Sequence, residues 1–527
     1  MDYDVVIVGA GSAGCVLANR LSAAPARRVL LLEAGPRDLD PYIHMPAGLA
    51  HLPLHRRINW NYATEPEPAL ENRRLWWPRG RVLGGSSSIN AMCYVRGVPG
   101  DYDRWAVASG DPRWSWTQVL PYFLRSEDNT RGASVLHGVG GPLGVGDLRH
   151  HHALSDAFVA AGAAAGFAHN EDFNGPAQDG FGLYQVTQRD GWRCSTARGF
   201  LAPARGRGNL AVHTGARVER VLLAGDRAHG VRYRRHGHVQ EVQAGEVILC
   251  GGAINSPQLL MLSGIGPADA LRALALPVHA DLPGVGGNLS DHLDLCTLVG
   301  CTRPITYDVL SEWRAGLRFL LRRDGPASSN IAEAGGFVRS ALAEDERCDV
   351  QFHFVPALLD DHGRHRLPGC GYTVHACGLH PRSRGRIVLR SADPAAAPAI
   401  HANYLGDPEG RDLQVMIEAA KLSRELLAQA PFDAYRGAPV LPERELRDDA
   451  EIAGFIRRKA ETVYHPVGSC RMGRADDAGA VVDSELRVRG IAGLRVVDAS
   501  VMPALPSGNT NAPTIMIAER AADMIAA

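Results

Sequence analysis

The tightest constraint on this fold lies in the first thirty-three residues. Residues 5–8 (VVIV) form an unbroken apolar run, and Gly9-Ala10-Gly11-Ser12-Ala13-Gly14 follows at once. A helical pattern then leads to a second apolar run, 29–32, which ends in Glu33. This is the order strand, glycine turn, helix, strand, acid. Gly9 permits the tight turn, Gly11 lets the backbone approach a pyrophosphate, and Gly14 allows the helix to pack close to the strand. The free N–H groups of the helix's first turn favour phosphate charge. Glu33 stands 22 residues beyond Gly11, where an acid holds ribose hydroxyls. The segment predicts a dinucleotide site.

At 527 residues the chain exceeds what one hydrophobic core supports, so at least two are expected. A formal net charge of −1 gives no global attraction to nucleic acid or anionic lipid. The ten cysteines form no C-x-x-C pair and are expected to be buried small hydrophobes. No apolar run reaches the ~18 residues of a membrane span. A strand beginning at Asp4 leaves no room for a signal peptide, so the expectation is cytoplasmic, with peripheral membrane contact open. Trp76 and Trp77 read either as exposed anchors or, more commonly for such residues, as core.

Early helix and strand patterns alternate, predicting an α/β chain. The middle differs. Residues 350–354 and 372–376 alternate apolar and polar with period two, and a turn at 381–385 leads into a further strand at 386–390. Such alternation predicts antiparallel strands with one face on a core and one on a cavity or solvent. Helical patterns follow at 412–427 and 448–461. The expected plan is α+β overall: a Rossmann-like cofactor domain (1–152, 190–295 and 462–527) interrupted by an antiparallel-sheet substrate domain (153–189 and 296–461).

The glycine motif does not choose between FAD and NAD, but later segments favour FAD. Residues 79–90 (RGRVLGGSSSIN) form a second glycine and serine loop, suited to a long cofactor. Residues 246–253 form a strand ending in small residues, and 494–498 a strand ending in Asp498. Asp498 also reads as a plain cap for the segment that follows it.

Taken together these segments resemble the glucose–methanol–choline (GMC) family of flavin oxidoreductases, from Tyr3 to about Ile525. Residues 80–90 fit its first signature and 252–266 its second. Residues 464–473 (YHPVGSCRMG) look like its active-site histidine segment and 508–514 (GNTNAPT) like its second catalytic segment. The text around 76–80, 184–188 and 460–465 is similar to bacterial FAD-dependent dehydrogenases of aliphatic alcohols, with choline and polyethylene glycol dehydrogenases close behind. The resemblance implies FAD held by Gly9, Gly11, Ser12, Ala13, Gly14, Glu33 and Ala34 at the first turn. It further implies Arg81, Gly84, Gly85, Ser86, Asn90, Ala91 and Met92 in the second loop. Val218, Ala253, Tyr464, Asp498, Ala499, Asn509, Thr510 and Asn511 complete the implied set. Ile89 stands where some members carry a flavin-linking histidine, so the FAD is expected to be dissociable.

The implied chemistry is oxidation of a primary alcohol, aliphatic or aryl, to its aldehyde. His465 suits the base, since imidazole accepts protons near neutral pH. Asn509, 44 residues later, can donate to the same oxygen. Alone, the His-Pro pair reads as a loop histidine and Ser507-Gly508-Asn509 as a turn. Electrons are expected to pass to a quinone, another acceptor or oxygen. Choline dehydrogenase and an oxygen-using oxidase are the alternatives, with a flavin lyase or photodecarboxylase more remote. Glu333 matches an acid near the substrate cation in choline-oxidising relatives, and reads equally as a hydrogen-bonded structural acid. His353 falls on the polar phase of its strand and can line a cavity, but reads somewhat more readily as a satisfied core or surface histidine. His150-His151-His152 reads as a solvated loop, and no cluster with metal-site spacing is expected.

Overall fold

The computed structural model describes residues 2–365 and 367–526. Its first sheet is built around the apolar runs. Strands Leu210–Thr214, Val29–Glu33, Tyr3–Val8, the end of His238–Leu249, and Leu494–Val496 lie parallel in that order. Val29–Glu33 is buried along its whole length, because parallel strands are covered on both faces. The twelve-residue strand His238–Leu249 serves two partners. Its second half pairs with Tyr3–Val8, while its first half runs antiparallel to Arg227–Arg235, which continues to Ala216–Ala224.

The second sheet is antiparallel, in the order Arg436–Leu441, Leu293–Cys301, Gly371–Gly378, Val350–Val355, Ala334–Val338, Gly180–Leu183. Helices Ala153–Ala164 and Arg411–Ala428 cover one face through Leu154, Phe158, Leu426 and their neighbours. The period-two pattern has a specific outcome here. All six residues of Val350–Val355 are buried, so the polar positions do not meet solvent: His353 lines an internal cavity and Gln351 bonds Asn509. The run expected at 386–390 leaves this sheet; Arg386–Val388 pairs with Ala399–His401 as a separate ribbon.

The chain's two ends meet. Helix Asn511–Ala526 lies along Ser12–Leu21, and Arg20 bonds Glu519 (2.7 Å) and Asp523 (2.8 Å). Ser12 Oγ donates to Asn511 Oδ1 at 2.7 Å. The glycine turn and the carboxy-terminal segment are thereby brought to one place. All ten cysteines are free, and eight of them are buried. Trp76 and Trp77 are core residues. Among the described residues, no helix is long and apolar enough to cross a membrane.

Candidate active site

One cavity of about 630 Å³ runs from the glycine turn to the antiparallel sheet. At one end Gly9 takes φ +102°, and a Cβ there would sit 2.5 Å from the Cys250 carbonyl oxygen. At Gly14 a Cβ would sit 1.9 Å from the Gly9 carbonyl oxygen, so this glycine is a packing requirement and does not reach the wall. Gly11 differs from both: a Cβ there would meet nothing nearer than 4.0 Å, because Gly11 opens on the cavity. It also caps helix Ser12–Leu21 without a side-chain oxygen, leaving the first-turn N–H groups for a ligand. The second glycine loop backs onto the first, since a Cβ at Gly85 would lie 2.6 Å from Gly11 Cα. An elongated cleft with a bare helix N-terminus and two glycine walls fits a dinucleotide's pyrophosphate.

Most residues expected to hold the cofactor line this cavity: Gly9, Gly11, Ser12, Ala13, Glu33, Ala34, Gly85, Ser86, Asn90, Ala91, Met92, Val218, Ala253, Tyr464, Asp498, Ala499, Asn509, Thr510 and Asn511. Gly84 and Arg81 do not. Gly84 holds the loop in a left-handed turn (φ +88°) and donates to the Ala10 carbonyl at 2.7 Å. Arg81 instead lies over the Trp60 ring and donates to the Arg57 carbonyl at 3.1 Å.

The two acids on the wall have protein partners as well. Glu33 accepts from the Ala10 N–H at 2.9 Å and the Gly35 N–H at 2.7 Å. Burial pushes its carboxyl up to about 7 against the pull of those amides. Asp498 accepts from Ser500 N, Ser500 Oγ, Gly252 N and Ser256 Oγ, so it caps the turn Ala499–Val501 and ties it to helix Gly252–Leu262. The capping role read in the sequence is present, on the cavity wall. Arg193, not singled out in the sequence, grips Asn90 through its carbonyl (2.6 Å) and its Oδ1 (2.8 Å).

At the other end His465 and Asn509 meet, with His465 Nε2 3.1 Å from Asn509 Nδ2. Two residues missed in the sequence fix how they face each other. Gln351 Nε2 donates to Asn509 Oδ1 (3.1 Å) and lies 3.2 Å from His353 Nε2. That turns the Asn509 NH₂ toward His465. On the far side His465 Nδ1 lies 3.0 Å from Nδ1 of His292, whose Nε2 is 3.0 Å from the Leu379 carbonyl oxygen.

The hydrogen positions along this chain follow from chemistry. A carbonyl only accepts, so His292 Nε2 carries a proton. Burial takes the His292 pKa down to about 3, so the ring is neutral and its Nδ1 is bare. His465 Nδ1 must then be the donor, and its Nε2 keeps a lone pair facing Asn509 and the cavity. Burial, followed by the electrostatic influence of the neighbouring His292, His353 and Arg79, holds His465 well below the ordinary histidine value. The ring is a neutral base with one tautomer.

The backbone around His465 is held as well. Its N–H donates to Asp291 Oδ1 at 2.7 Å, and Asp291 also accepts from Thr462 Oγ1 and the Tyr404 hydroxyl. Arg79 Nη2 donates to the Tyr464 carbonyl at 2.7 Å. Tyr464 itself sits at φ +66° and Met92 at φ +60°, both on the wall and both left-handed, a strain tolerated at sites that need it. His292 and Asp291 lie just ahead of strand Leu293–Cys301, a position that carries no local signal of its own.

The weaker candidates separate. His353 lines the cavity, its ring stacked on Tyr184 at 5.2 Å. Glu333 is not on the wall; it accepts from His152 N (2.7 Å), Ser155 Oγ (2.6 Å), Ser329 Oγ (2.5 Å) and the Tyr307 hydroxyl. That is the hydrogen-bonded structural acid. His152 caps helix Ala153–Ala164 through Nδ1 and His151 pairs with Asp156, so the three histidines do not converge. The spacing argument against a metal-type cluster needs correction. Asp294, Cys296 and His375 place ligand atoms within 4.8 Å of one another, because Cys296 and His375 are paired across adjacent strands. His375 Nδ1 donates to Asp294 Oδ2 at 2.7 Å and lies 3.2 Å from Cys296 Sγ.

Beyond the glycine turn the wall mixes aliphatic side chains with Tyr307, Asp308, Glu312, His375 and Tyr464. Leu310, Val355, Leu358, Leu359, Leu367 and Val463 line the same cavity as His353 and His465.

Comparison with known proteins agrees with this geometry along the whole chain. Family models described as GMC oxidoreductase match residues 3–294 and 381–518. The alcohol dehydrogenase (acceptor) of Pseudomonas putida is 48% identical, covering 99% of this chain and 95% of that protein. Human mitochondrial choline dehydrogenase is 47% identical, covering 99% and 90%. Among solved structures, pyridoxine 4-oxidase from Mesorbium loti superposes with a TM-score of 0.90 at 35% identity, covering 99% of each chain. A formate oxidase from Aspergillus oryzae, studied for modification of its FAD, gives 0.93 at 26% identity, covering 100% of this chain and 98% of that one. With about four-fifths of its residues matched in two blocks and full-length relatives near half identity, the chain belongs to the GMC oxidoreductase family.

Proposed function

We propose that this protein oxidises a neutral, apolar primary alcohol to its aldehyde with non-covalently bound FAD, and passes the electrons to a quinone. The observation that carries the reading is the His465–Asn509 pair at 3.1 Å on the wall of the cavity that also holds the glycine turn. When bound, FAD supplies the acceptor for the hydride that leaves the alcohol carbon. The chain's own residues handle the proton and the charge. His465 Nε2 takes the hydroxyl proton, and Asn509 Nδ2 donates its second hydrogen to the oxygen as negative charge builds there. Gln351 keeps that amide from flipping. His292 keeps the His465 lone pair on the cavity side. The antiparallel sheet serves as the substrate-facing unit, through Gln351 and His353.

The P. putida relative is named for alcohol and an acceptor, and several others for choline. The aliphatic part of the lining supports a neutral alcohol over choline, since the wall acids Asp308 and Glu312 are already engaged, the first by Thr306, Leu358 and Gly371 and the second by His51. A trimethylammonium group calls for an acid and aromatic faces around it. Glu333 has four protein donors and no place on the wall. The aliphatic side chains that share the cavity with His465 instead fit an alkyl chain.

Anaerobic bleaching of the bound flavin by ethanol, octanol, benzyl alcohol, choline and a polyether tests the reading. Octanol should give the highest second-order rate constant, with a quinone analogue restoring colour. Preference for choline would move the substrate to the cationic class, and no bleaching by any alcohol would reject alcohol oxidation.

A further inference from the structure

Helix Glu312–Arg322 is turned the wrong way round for a soluble surface. Of its apolar side chains only Phe319 is buried, held edge-on against Trp192 at 4.9 Å. Trp313, Leu317, Leu320 and Leu321 are 68%, 48%, 59% and 75% exposed. At 100° per residue these four fall within one arc of about 100°, a continuous stripe along roughly 12 Å of helix. Val309 and Leu310, just before the helix, extend the exposed apolar surface. Scattered surface leucines need no explanation, but a contiguous stripe containing tryptophan does.

The charges beside the stripe choose its partner. Arg314, Arg318 and Arg322 follow one another along its flank at helical spacing, and Arg323 closes the helix. Against these four cations stand Glu312 and Asp324, and Asp324 is bonded to Arg318. An outward apolar face bordered by arginines is the pattern of a helix lying in the interfacial plane of an anionic bilayer, with its side chains among the acyl chains and its guanidiniums at the phosphates. A second copy of this chain on the same face would bring like charges together. The stripe also adjoins the cavity, since Leu310 and Glu312 line it and His51 ties Glu312 to the neighbouring turn at 3.5 Å.

We propose that Glu312–Arg322 docks the protein reversibly on anionic phospholipid, so that the cavity opens at the lipid surface. The docking stands independently of the alcohol reading; only the supply of alkyl alcohol from the lipid phase rests on it.

Flotation of the FAD-loaded full-length protein with phosphatidylcholine vesicles, with and without 30% phosphatidylglycerol, tests the assignment. The wild type should partition at least tenfold more onto the anionic vesicles, and 500 mM salt should reduce that partition. The double variant Trp313→Ser/Leu321→Ser should lose at least tenfold in partition. It should keep its turnover of ethanol and its light-scattering mass, because neither residue lines the cavity. Arg314→Gln/Arg318→Gln/Arg322→Gln should lose the preference for anionic vesicles. Wild type that stays off both vesicle types, or a double variant that floats like wild type, would overturn the proposal. So would a wild-type dimer that the double variant dissolves without any vesicle binding. Loss of ethanol turnover in wild type with vesicle binding intact would count against the alcohol reading alone.

Discussion

Replacing His292 by leucine should slow alcohol oxidation without emptying the cofactor site. His292 is fully buried and accepts the Nδ1–H of His465 at 3.0 Å. Leucine offers no acceptor, and a buried donor left unmet costs about 1–3 kcal/mol. The imidazole escapes that cost by moving its proton to Nε2 or by swinging away, and either removes the lone pair from the cavity side. Since ~1.36 kcal/mol is a factor of ten in rate, flavin reduction should fall by roughly 5- to 150-fold. Gln at the same position offers a carbonyl oxygen and should recover part of the loss. The assay is anaerobic stopped-flow bleaching at saturating octanol from pH 5 to 9, with the starting spectrum reporting FAD content. In the wild type, burial and neighbouring charge hold His465 well below 6.5, so the rate should stay level as pH falls through 6.5. A leucine variant with full FAD content and a rate within twofold of wild type would refute the tautomer reasoning. So would equal losses in the leucine and glutamine variants.

Three further outcomes follow from single observations. Gly14→Ala forces a Cβ to 1.9 Å from the Gly9 carbonyl, so the variant should purify colourless or aggregate, seen in the ratio of 450 to 280 nm absorbance. Ile89, aliphatic and buried, forms no bond to flavin, so acid denaturation should release the yellow colour to the supernatant; colour in the pellet contradicts this. His137 is pushed up to about 9, first by Asp172 and then by Glu127, at 2.8 and 3.1 Å. A raised histidine pKa stabilises the fold fully below about 6.5 and ceases to do so as pH rises through 9. The Tm should therefore drop between pH 6.5 and 9.5, and His137→Gln should flatten that drop.

The nucleotide half of the molecule was legible because its signal is local. A strand, three glycines and a helix start are contiguous, although the contact that requires Gly9 is with the distant Cys250 carbonyl while that of Gly14 lies within the motif. Glu33 lies on the cavity wall, but two backbone amides already engage its carboxylate, which contiguous text does not reveal. The histidine–asparagine pair was legible through resemblance, while its supports were not. His292, Gln351 and His465 come from three strands or strand ends that sequence separates by more than fifty residues at each step. Asp294 and Cys296 stand two apart on one strand, and His375 joins them only through strand register. The stripe on Glu312–Arg322 was hidden for another reason: a whole-chain net charge of −1 averages away a local row of arginines.

The most direct test of the central claim is reduction of the bound flavin in His465→Ala. If His465 is the base, the variant should purify yellow, and octanol should bleach it on the order of 10²–10⁴ more slowly than wild type. A yellow variant bleached at close to the wild-type rate would show that the proton leaves by another route.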